Sequence, residues 1–215
     1  MNNITKIEAQ KKYKDRVNIY IDGEYSLSMN YDLLLKNNLK VGQLVDTNYL
    51  NQLVLENEKS LALSRASKLL GKSLKTVKQM RDYLVDKGYG PNVVEYCIKK
   101  LCEYNYLNDE NYANIYLKSA SKKYGKRKIE NELKLKGVPK KIIDGCLENF
   151  ETDENTILSL ANKFLKNKEV NNDNITKLIR HLFSKGYAYD DIKPVISNLR
   201  SNDNAFNWDW FVGYC

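Results

Sequence analysis

The residue types that most often carry out covalent chemistry are sparse in this chain and are not grouped. The one histidine, His181, lies next to Leu182, with no nucleophile or acid at a fixed spacing. Asp109 and Glu110 are adjacent, and their charge suits the first turn of a helix. None of the ten glycines forms a phosphate-binding GxGxxG or GxxxxGK pattern. We therefore expect no catalytic residue, metal site or cofactor, and we interpret the chain as a non-enzymatic binding protein.

The cysteines match neither paired zinc knuckles nor a redox CxxC motif; they are Cys97, Cys102, Cys146 and Cys215. We interpret them as buried thiols. Cys97 and Cys102 lie in one amphipathic helical segment, where cysteine behaves as a small hydrophobic residue. In a reducing compartment the fold needs no disulfide from them.

The chemistry that the sequence favours is anion binding, in a basic segment that spans residues 118–128. Six lysines or arginines and no acidic residue fall in this segment. Such side chains bind phosphates without reading the base sequence, and this binding weakens with salt. Tyr124 or Tyr116 could add a stacking contact to an unpaired base, worth about 1–3 kcal/mol. The alternative for Tyr112 and Tyr116, which are four residues apart, is an ordinary buried stripe.

The charge distribution also points to the middle of the chain. The formal net charge is +8, and residues 61–150 carry nineteen basic and ten acidic groups, whereas the flanking regions are nearly balanced. A local positive field of this kind usually meets nucleic acid or an acidic protein surface, although a solvated lysine-rich surface is an alternative. The sequence has neither a membrane-spanning apolar run nor the apolar core of a signal peptide, so we expect a cytoplasmic protein without a membrane partner.

The first thirty residues have the alternation typical of β-strands. Residues 17–21 and 25–29 each alternate apolar and polar side chains, and Asp22-Gly23 between them suits the positive φ angles of a tight hairpin turn. The apolar pattern around Ile4 indicates a third strand. A lone hairpin is marginal in water, so we expect the helix-then-loop segment that follows to cover this sheet.

From residue 46 onward the apolar period is helical, and one pattern recurs three times at an interval of 49 residues. Segments 81–101, 130–150 and 180–199 align without a gap. The aligned sets are Leu84, Leu133 and Leu182; Lys87-Gly88, Lys136-Gly137 and Lys185-Gly186; Tyr89, Val138 and Tyr187; Val94, Ile143 and Ile192; and Ile98, Leu147 and Ile196.

Each repeated residue has a physical role. The leucine faces the core in the last turn of a helix, the lysine complements the carbonyl end, and the glycine ends the helix in the left-handed conformation. The apolar pair four residues apart forms the inner stripe of the next helix. A further helix precedes each pair. The sequence therefore predicts a mainly α fold of three tandem three-helix repeats in an elongated, curved array, with a small N-terminal β-hairpin domain.

A second basic cluster begins the first repeat, at Lys68, Lys72, Lys75, Lys78 and Arg81. In a stacked array the two clusters could share one face. No run of Arg, Asn or Gln indicates base-edge readout, so a recognition helix at KIENELKLKG (128–137) is the weaker interpretation. The candidate binding residues are Lys72, Lys75, Lys118, Lys122, Lys123, Tyr124, Lys126, Arg127, Lys128 and Lys134.

Two motifs resemble those of a known bacterial family. The stretch LNDENYA at residues 107–113 precedes the pattern G-x-x-x-I-x-x-E-L-x-x-K-G from Gly125 to Gly137. With the hairpin domain and the repeats, they are similar to regulatory proteins of the RecX family over about residues 1–200. The resemblance implies three-helix repeats that bind the recombinase RecA and its filament on single-stranded DNA. The hairpin extension resembles that of longer members from Gram-positive bacteria.

The expected function follows from that resemblance. It implies a regulator, usually negative, that lies in the helical groove of the RecA–DNA filament and alters strand exchange, ATPase and coprotease activity. The residues alone leave two alternatives, a sequence-nonspecific DNA-binding protein and a helical-repeat scaffold for another protein. We expect the RecA filament as partner, single-stranded DNA as a weak or RecA-mediated partner, and a monomer, because the two ends of the array differ.

The expected domains follow the repeat boundaries. Residues 1–45 form the hairpin domain, 46–108 a linker helix with the first repeat, 109–155 the second repeat and 156–200 the third. The aromatic tail, residues 201–215, has no family counterpart; it either packs on the last repeat as a cap or stays exposed as a contact.

Overall fold

The N-terminal part of the computed structural model is a four-stranded antiparallel sheet. The structure describes residues 2–11 and 14–209, and of residues 202–209 it describes the backbone alone. The sheet has the strand order β3-β2-β1-β4. The strands are β1 (Asn2–Ala9), β2 (Arg16–Ile21), β3 (Glu24–Asn30) and β4 (Leu44–Val45).

The hairpin between β2 and β3 is built as the sequence predicts. Asp22 and Gly23 have φ angles of 51° and 91°, the left-handed pair that a tight turn requires. Ile19 pairs with Leu27 on one side and with Ile7 on the other. The predicted third strand is β1. In contrast, β4 lies in the predicted loop, because two residues are too few to show a period.

One face of this sheet is closed by helices. Helix α1 (Tyr31–Lys36) and helix α2 (Thr47–Leu70) follow β3 and β4. Asp46 caps α2 by accepting a hydrogen bond from the Asn48 N–H at 2.9 Å. The core beneath the sheet contains Ile4, Val17, Ile19, Ile21, Leu27, Met29, Leu34, Leu39, Val45 and Leu50.

The rest of the described chain consists of helices, three to a repeat. The end of α2 belongs to the first repeat, with α3 (Val77–Asp86) and α4 (Pro91–Glu103). The second contains α5 (Asp109–Ala120), α6 (Lys126–Leu135) and α7 (Lys140–Leu147). The third contains α8 (Glu154–Leu165), α9 (Asn172–Ser184) and α10 (Tyr189–Asp209). The predicted mainly helical fold with a small N-terminal sheet is confirmed.

The repeated residues occupy equivalent places. Leu84, Leu133 and Leu182 are each 0% exposed, as core positions should be. The glycines that follow them, Gly88, Gly137 and Gly186, have φ angles of 84°, 80° and 86°. The predicted helix ends are therefore confirmed in all three repeats.

The chain divides into two compact units. The first contains the described residues up to Leu74 together with Met80–Tyr106, and the second contains Lys75–Gln79 and the described residues from Leu107 onward. The predicted domain limits at residues 45, 108, 155 and 200 stay a prediction. Among the described residues, no helix is both long enough and apolar enough to cross a membrane.

The cysteine prediction is right for one residue and wrong for another. Cys97 is fully buried, and burial raises the pKa of its thiol to about 11. Cys102 is exposed, because the buried stripe of α4 runs through Leu101 and the next residue points about 100° away from it. Cys146 is half-buried, and Cys215 lies outside the described residues. The predicted packing of the aromatic tail also lies outside the described side chains.

Candidate nucleic-acid interface

The basic segment forms the corner between α5 and α6. It comprises the last turn of α5, the connection and the first turn of α6. The Ala120 carbonyl ends α5 by accepting hydrogen bonds from the N–H groups of Lys123 and Tyr124, both at 2.9 Å. Ala120, Ile129 and Leu133 belong to one buried cluster that holds the two helices together. The corner therefore presents its basic side chains on a rigid support.

Five cations of this corner are exposed and available. Within the described residues no ion pair involves any of them, whereas Lys128 pairs with Glu132 at 3.5 Å and Lys134 pairs with Glu130. The Lys134 partnership lowers the pKa of the Glu130 carboxyl. Lys128 and Lys134 are thus largely neutralised within α6. The exposed cations are Lys118, Lys122, Lys123, Lys126 and Arg127.

The first turn of α6 carries three cations and no acidic residue. This is the reverse of the usual preference, because the amino end of a helix is already partly positive. An anion bound there would relieve the repulsion. The backbone N–H groups of Gly125 and Arg127 are already engaged with the carbonyls of Lys185 and Gly186 at 3.0 Å and 3.3 Å. Phosphates would therefore meet side chains more than backbone.

Tyr124 lies at the edge of this surface and is half-buried against the core of the second repeat. The Lys185 ammonium lies 5.6 Å from the centre of its ring, within cation–π range. The Lys-Gly pattern predicts a helix end at Lys185 but not its place beside Tyr124. The 49-residue interval relates the Lys-Gly pairs to one another and carries no signal for this contact.

The two tyrosines of α5 form a half-buried stripe. Tyr112 and Tyr116 stack with ring centres 6.4 Å apart and an angle of 6° between their planes. Both pack against the core of the second repeat, and burial raises the pKa of each phenol. This geometry matches the alternative interpretation given for them above.

The second basic cluster is less available than the sequence suggests. Arg81 pairs with Glu95, and the Lys78 side chain packs against Gly137 so closely that a Cβ there would lie 2.3 Å from the Lys78 Cδ. Lys72 is exposed and Lys75 is half-buried. These last two belong to different compact units, and a face shared with the basic segment stays a prediction.

A buried polar joint links the first and second repeats within the second compact unit. The Thr76 hydroxyl donates to the Lys136 carbonyl at 2.6 Å and accepts from the Gln79 N–H at 3.1 Å, while the Gln79 side chain accepts from the Thr76 N–H. Thr76 is 0% exposed. The Thr-x-x-Gln pattern is a capping box, a signal that sequence analysis did not use.

The two residues considered for catalysis, Asp109 and His181, make contacts that support the fold. Asp109 begins α5, as predicted, but it is also buried and accepts a hydrogen bond from the Val77 N–H at 2.9 Å. His181 stacks on Phe164 with ring centres 5.0 Å apart. In the part of the chain whose side chains are described, no three His, Cys, Asp or Glu residues are placed to hold a metal ion.

Three family models match the chain in order. Residues 2–46 match the regulatory protein RecX N-terminal domain, residues 62–101 match the first three-helix domain of RecX, and residues 108–147 match the second. The first match covers the sheet and α1, the second covers the end of α2 with α3 and most of α4, and the third covers α5–α7.

Curated relatives are similar over nearly the whole length. A regulatory protein RecX from Clostridium tetani is 37% identical over 94% of this chain and 97% of its own. One from Clostridium acetobutylicum is 38% identical over 94% and 99%. A crystal structure of a regulatory protein RecX has a TM-score of 0.64 and 25% identity over 92% of this chain and 100% of its own. A structure of RecX from Lactobacillus salivarius shares the fold, with a TM-score of 0.62 over 67% of this chain and 98% of its own.

Proposed function

The chain belongs to the RecX family of regulatory proteins, and from this premise we propose that it regulates the recombinase RecA by binding the RecA–DNA filament in its helical groove. The expected effect is negative modulation of strand exchange, ATPase and coprotease activity. The observation that carries the proposal is similarity to RecX relatives across 94% of the chain, from the N-terminal sheet through the helical repeats.

The proposed contact surface is the basic corner between α5 and α6. Five exposed cations without acidic partners among the described residues would face phosphates of the filament, with Lys128, Lys134, Tyr124, Lys72 and Lys75 as further candidates. Each phosphate contact releases counterions, so the interaction weakens as salt rises. Several weak contacts along one groove add up to useful affinity because the second and later contacts form within one complex.

The proposed mechanism is steric and electrostatic. A chain seated in the groove blocks the entry of a second DNA duplex and the docking of cleavage substrates, and it makes or breaks no covalent bond. We propose that it acts as a monomer in the cytoplasm, with single-stranded DNA bound weakly or through RecA.

The decisive test is ATP hydrolysis by the cognate RecA on single-stranded DNA, with substoichiometric amounts of this protein at two salt concentrations. We expect a lower rate and a smaller effect at the higher salt. An unchanged rate at every ratio, with the protein folded by circular dichroism, would reject filament regulation.

A second candidate function is sequence-nonspecific DNA binding. The cations of the basic corner that lack acidic partners favour it, because they need only phosphates and no recombinase. Binding of single- and double-stranded oligonucleotides without RecA separates the two. Filament regulation predicts weak binding to bare DNA and tight binding to the filament, whereas plain DNA binding predicts similar affinities for both.

A further inference from the structure

Two of the three Lys-Gly turns dock on the amino end of a helix. The Lys136 carbonyl accepts from the Thr76 hydroxyl, immediately before α3, at 2.6 Å. In the other joint, the Lys185 carbonyl accepts from the Gly125 N–H at 3.0 Å and the Gly186 carbonyl accepts from the Arg127 N–H at 3.3 Å. The third-repeat turn thus supplies carbonyl acceptors to backbone donors that the start of α6 leaves unpaired, whereas the second-repeat turn accepts from the side chain that caps α3.

The first Lys-Gly turn has the same form, but no helix start of the described residues docks on it. The Tyr89 N–H bonds the Leu84 carbonyl at 3.2 Å, just as Val138 and Tyr187 bond Leu133 and Leu182 in the other repeats. The carbonyls of Lys87 and Gly88 accept none of the hydrogen bonds found among the described residues. Among the described residues, no atom lies within 4 Å of the point that a Cβ on Gly88 would occupy, whereas Gly137 and Gly186 are in close contact there.

Exposure agrees with an open docking face. Val138 and Tyr187, which follow the occupied turns, are 4% and 1% exposed. The equivalent Tyr89 is only half-buried, and both Lys87 and Gly88 before it are exposed. The turn lines a cleft in the first compact unit, with Arg16, Arg65 and Glu58 among its walls.

The chemistry of this cleft selects its occupant. Arg16 is paired with Glu58 at 3.8 Å, so the described lining residues leave two basic side chains, Arg65 and Lys87, against one acidic side chain, Asp15. The cleft therefore favours negative charge. Its two open carbonyls can accept hydrogen bonds, so a partner with donors fits them, and a phosphodiester has none. The amino end of a helix provides donors, and Asp or Glu is favoured in its first turn.

We propose that the Lys87-Gly88 turn is a docking site for the amino end of an α-helix with an acidic first turn, supplied by the protein component of the partner filament. The joint between the third-repeat turn and the start of α6 is its template. The identity of the partner rests on the proposed function. In this arrangement the basic corner contacts DNA phosphates, whereas the first repeat contacts recombinase.

The test compares the intact chain with the double variant Arg65→Glu/Lys87→Glu, which leaves the core untouched because both side chains are exposed. Lys40→Glu/Lys163→Glu is the matched control, since it makes the same charge change at two exposed basic residues outside the cleft. Affinity is measured for RecA filaments formed with a nonhydrolysable ATP analogue and for the single-stranded oligonucleotide alone. We expect the cleft variant to bind the filament at least tenfold more weakly than the control and to bind the oligonucleotide equally well.

Either of two results would overturn the proposal. One is equal filament affinity of the two double variants. The other is a selective loss of oligonucleotide affinity in the cleft variant, which would make the cleft a nucleic-acid site. As a second measurement, a photo-crosslinking amino acid at position 87 should label the first turn of a helix in the recombinase; labelling of DNA instead, or no labelling of a bound filament, also contradicts the proposal.

The RecA ATPase rate distinguishes loss of the docking site from loss of the proposed function. A wild-type chain that lowers RecA ATPase while the cleft variant acts like its control leaves the function standing and removes the docking site. A wild-type chain that neither binds the filament nor changes its ATPase removes both.

Discussion

Asp109 joins two helix starts at one buried carboxylate. It stands in the first turn of α5 and accepts a hydrogen bond from the Val77 N–H at the start of α3. Burial raises the pKa of this carboxyl, and the Val77 hydrogen bond partly opposes the rise. The charged form therefore pays for its desolvation in the folded state, while the Val77 N–H needs an acceptor.

Replacing Asp109 separates these two effects. Asp109→Ala should lower the free energy of unfolding at pH 7 by about 1–3 kcal/mol, because the partly buried Val77 N–H loses its acceptor. Asp109→Asn keeps an acceptor oxygen without the charge and should cost much less. Since the folded-state pKa is raised, the wild type should gain stability relative to Asp109→Asn as the pH falls from 7 through that pKa. Urea unfolding at several pH values measures both; equal losses for Ala and Asn would contradict this account.

His181 makes a pH-dependent contribution of the opposite sign. Burial, with Lys185 and Lys168 nearby, lowers the pKa of His181 below its ordinary 6.5. The unfolded chain therefore takes up the proton first, and the stability that neutral His181 contributes is present above pH 6.5 and lost as the pH falls through the lowered pKa.

His181→Gln should therefore make stability less sensitive to pH between about 7 and 5, the range in which an unperturbed histidine titrates. The His181 pKa can be read directly from its imidazole proton shifts in the wild type. Chemical denaturation of both chains across the same range gives the second measurement. A variant whose stability falls with acid as steeply as that of the wild type would show that other groups control the slope.

At the scale of the elements, the joint between the second and third repeats depends on two glycines. A Cβ on Gly125 would lie 2.5 Å from the Gly186 carbonyl oxygen, and a Cβ on Gly186 would lie 2.3 Å from the Lys128 nitrogen. The backbones of two repeats thus approach more closely than any side chain allows. This contact also fixes the first turn of α6, where Lys126 and Arg127 project.

Gly125→Ala should destabilise the chain by about 1–3 kcal/mol, because the backbones must separate to make room for the methyl group. Gly145→Ala is the matched control in the same repeat, since Gly145 is helical and no atom of the described residues lies within 4 Å of its Cβ position. The control should be stabilised by roughly 0.5–1 kcal/mol through lower chain entropy. Thermal unfolding distinguishes them, and similar midpoints for the two variants would contradict the close-contact account.

The sequence predicts the glycine turns that end the helices, but it does not predict the joints between repeats. The periodic leucines and the Lys-Gly pairs locate helix ends, because helix termination is a local property of a few residues. Thr76 and Asp109 are different, since their hydrogen bonds reach residues 60 and 32 positions away. The amphipathic pattern of the whole segment predicts that Cys102 is buried. Its exposure instead depends on which single residues of α4 face the core, and Leu101 does so while Cys102 does not.

At the scale of the whole molecule, the formal charge overstates the number of cations that are available to bind phosphates. The middle of the chain carries nineteen basic groups, yet Arg81, Lys99, Lys100, Lys128 and Lys134 have acidic partners within 4.0 Å. A helix ion pair of this kind contributes little to stability, but it offsets the field that a phosphate would meet. The binding surface should therefore be defined by the cations without partners, and a salt titration can count them.

Replacing Lys122, Lys123 and Arg127 with glutamine removes three such cations from exposed positions of the basic corner. Each contact with a single strand contributes about 0.7 to the slope of log K against log salt, so the slope should become shallower by about 2. The control changes Lys163, Lys166 and Lys193, three exposed lysines of the third repeat, to glutamine and alters net charge equally. Fluorescence anisotropy of a labelled single strand, alone and as a RecA filament, gives the slopes.

If both triple variants flatten the slope equally, the dependence on salt reflects net charge and not the corner between α5 and α6. If only the corner variant does so, phosphates bind where α5 ends and α6 begins.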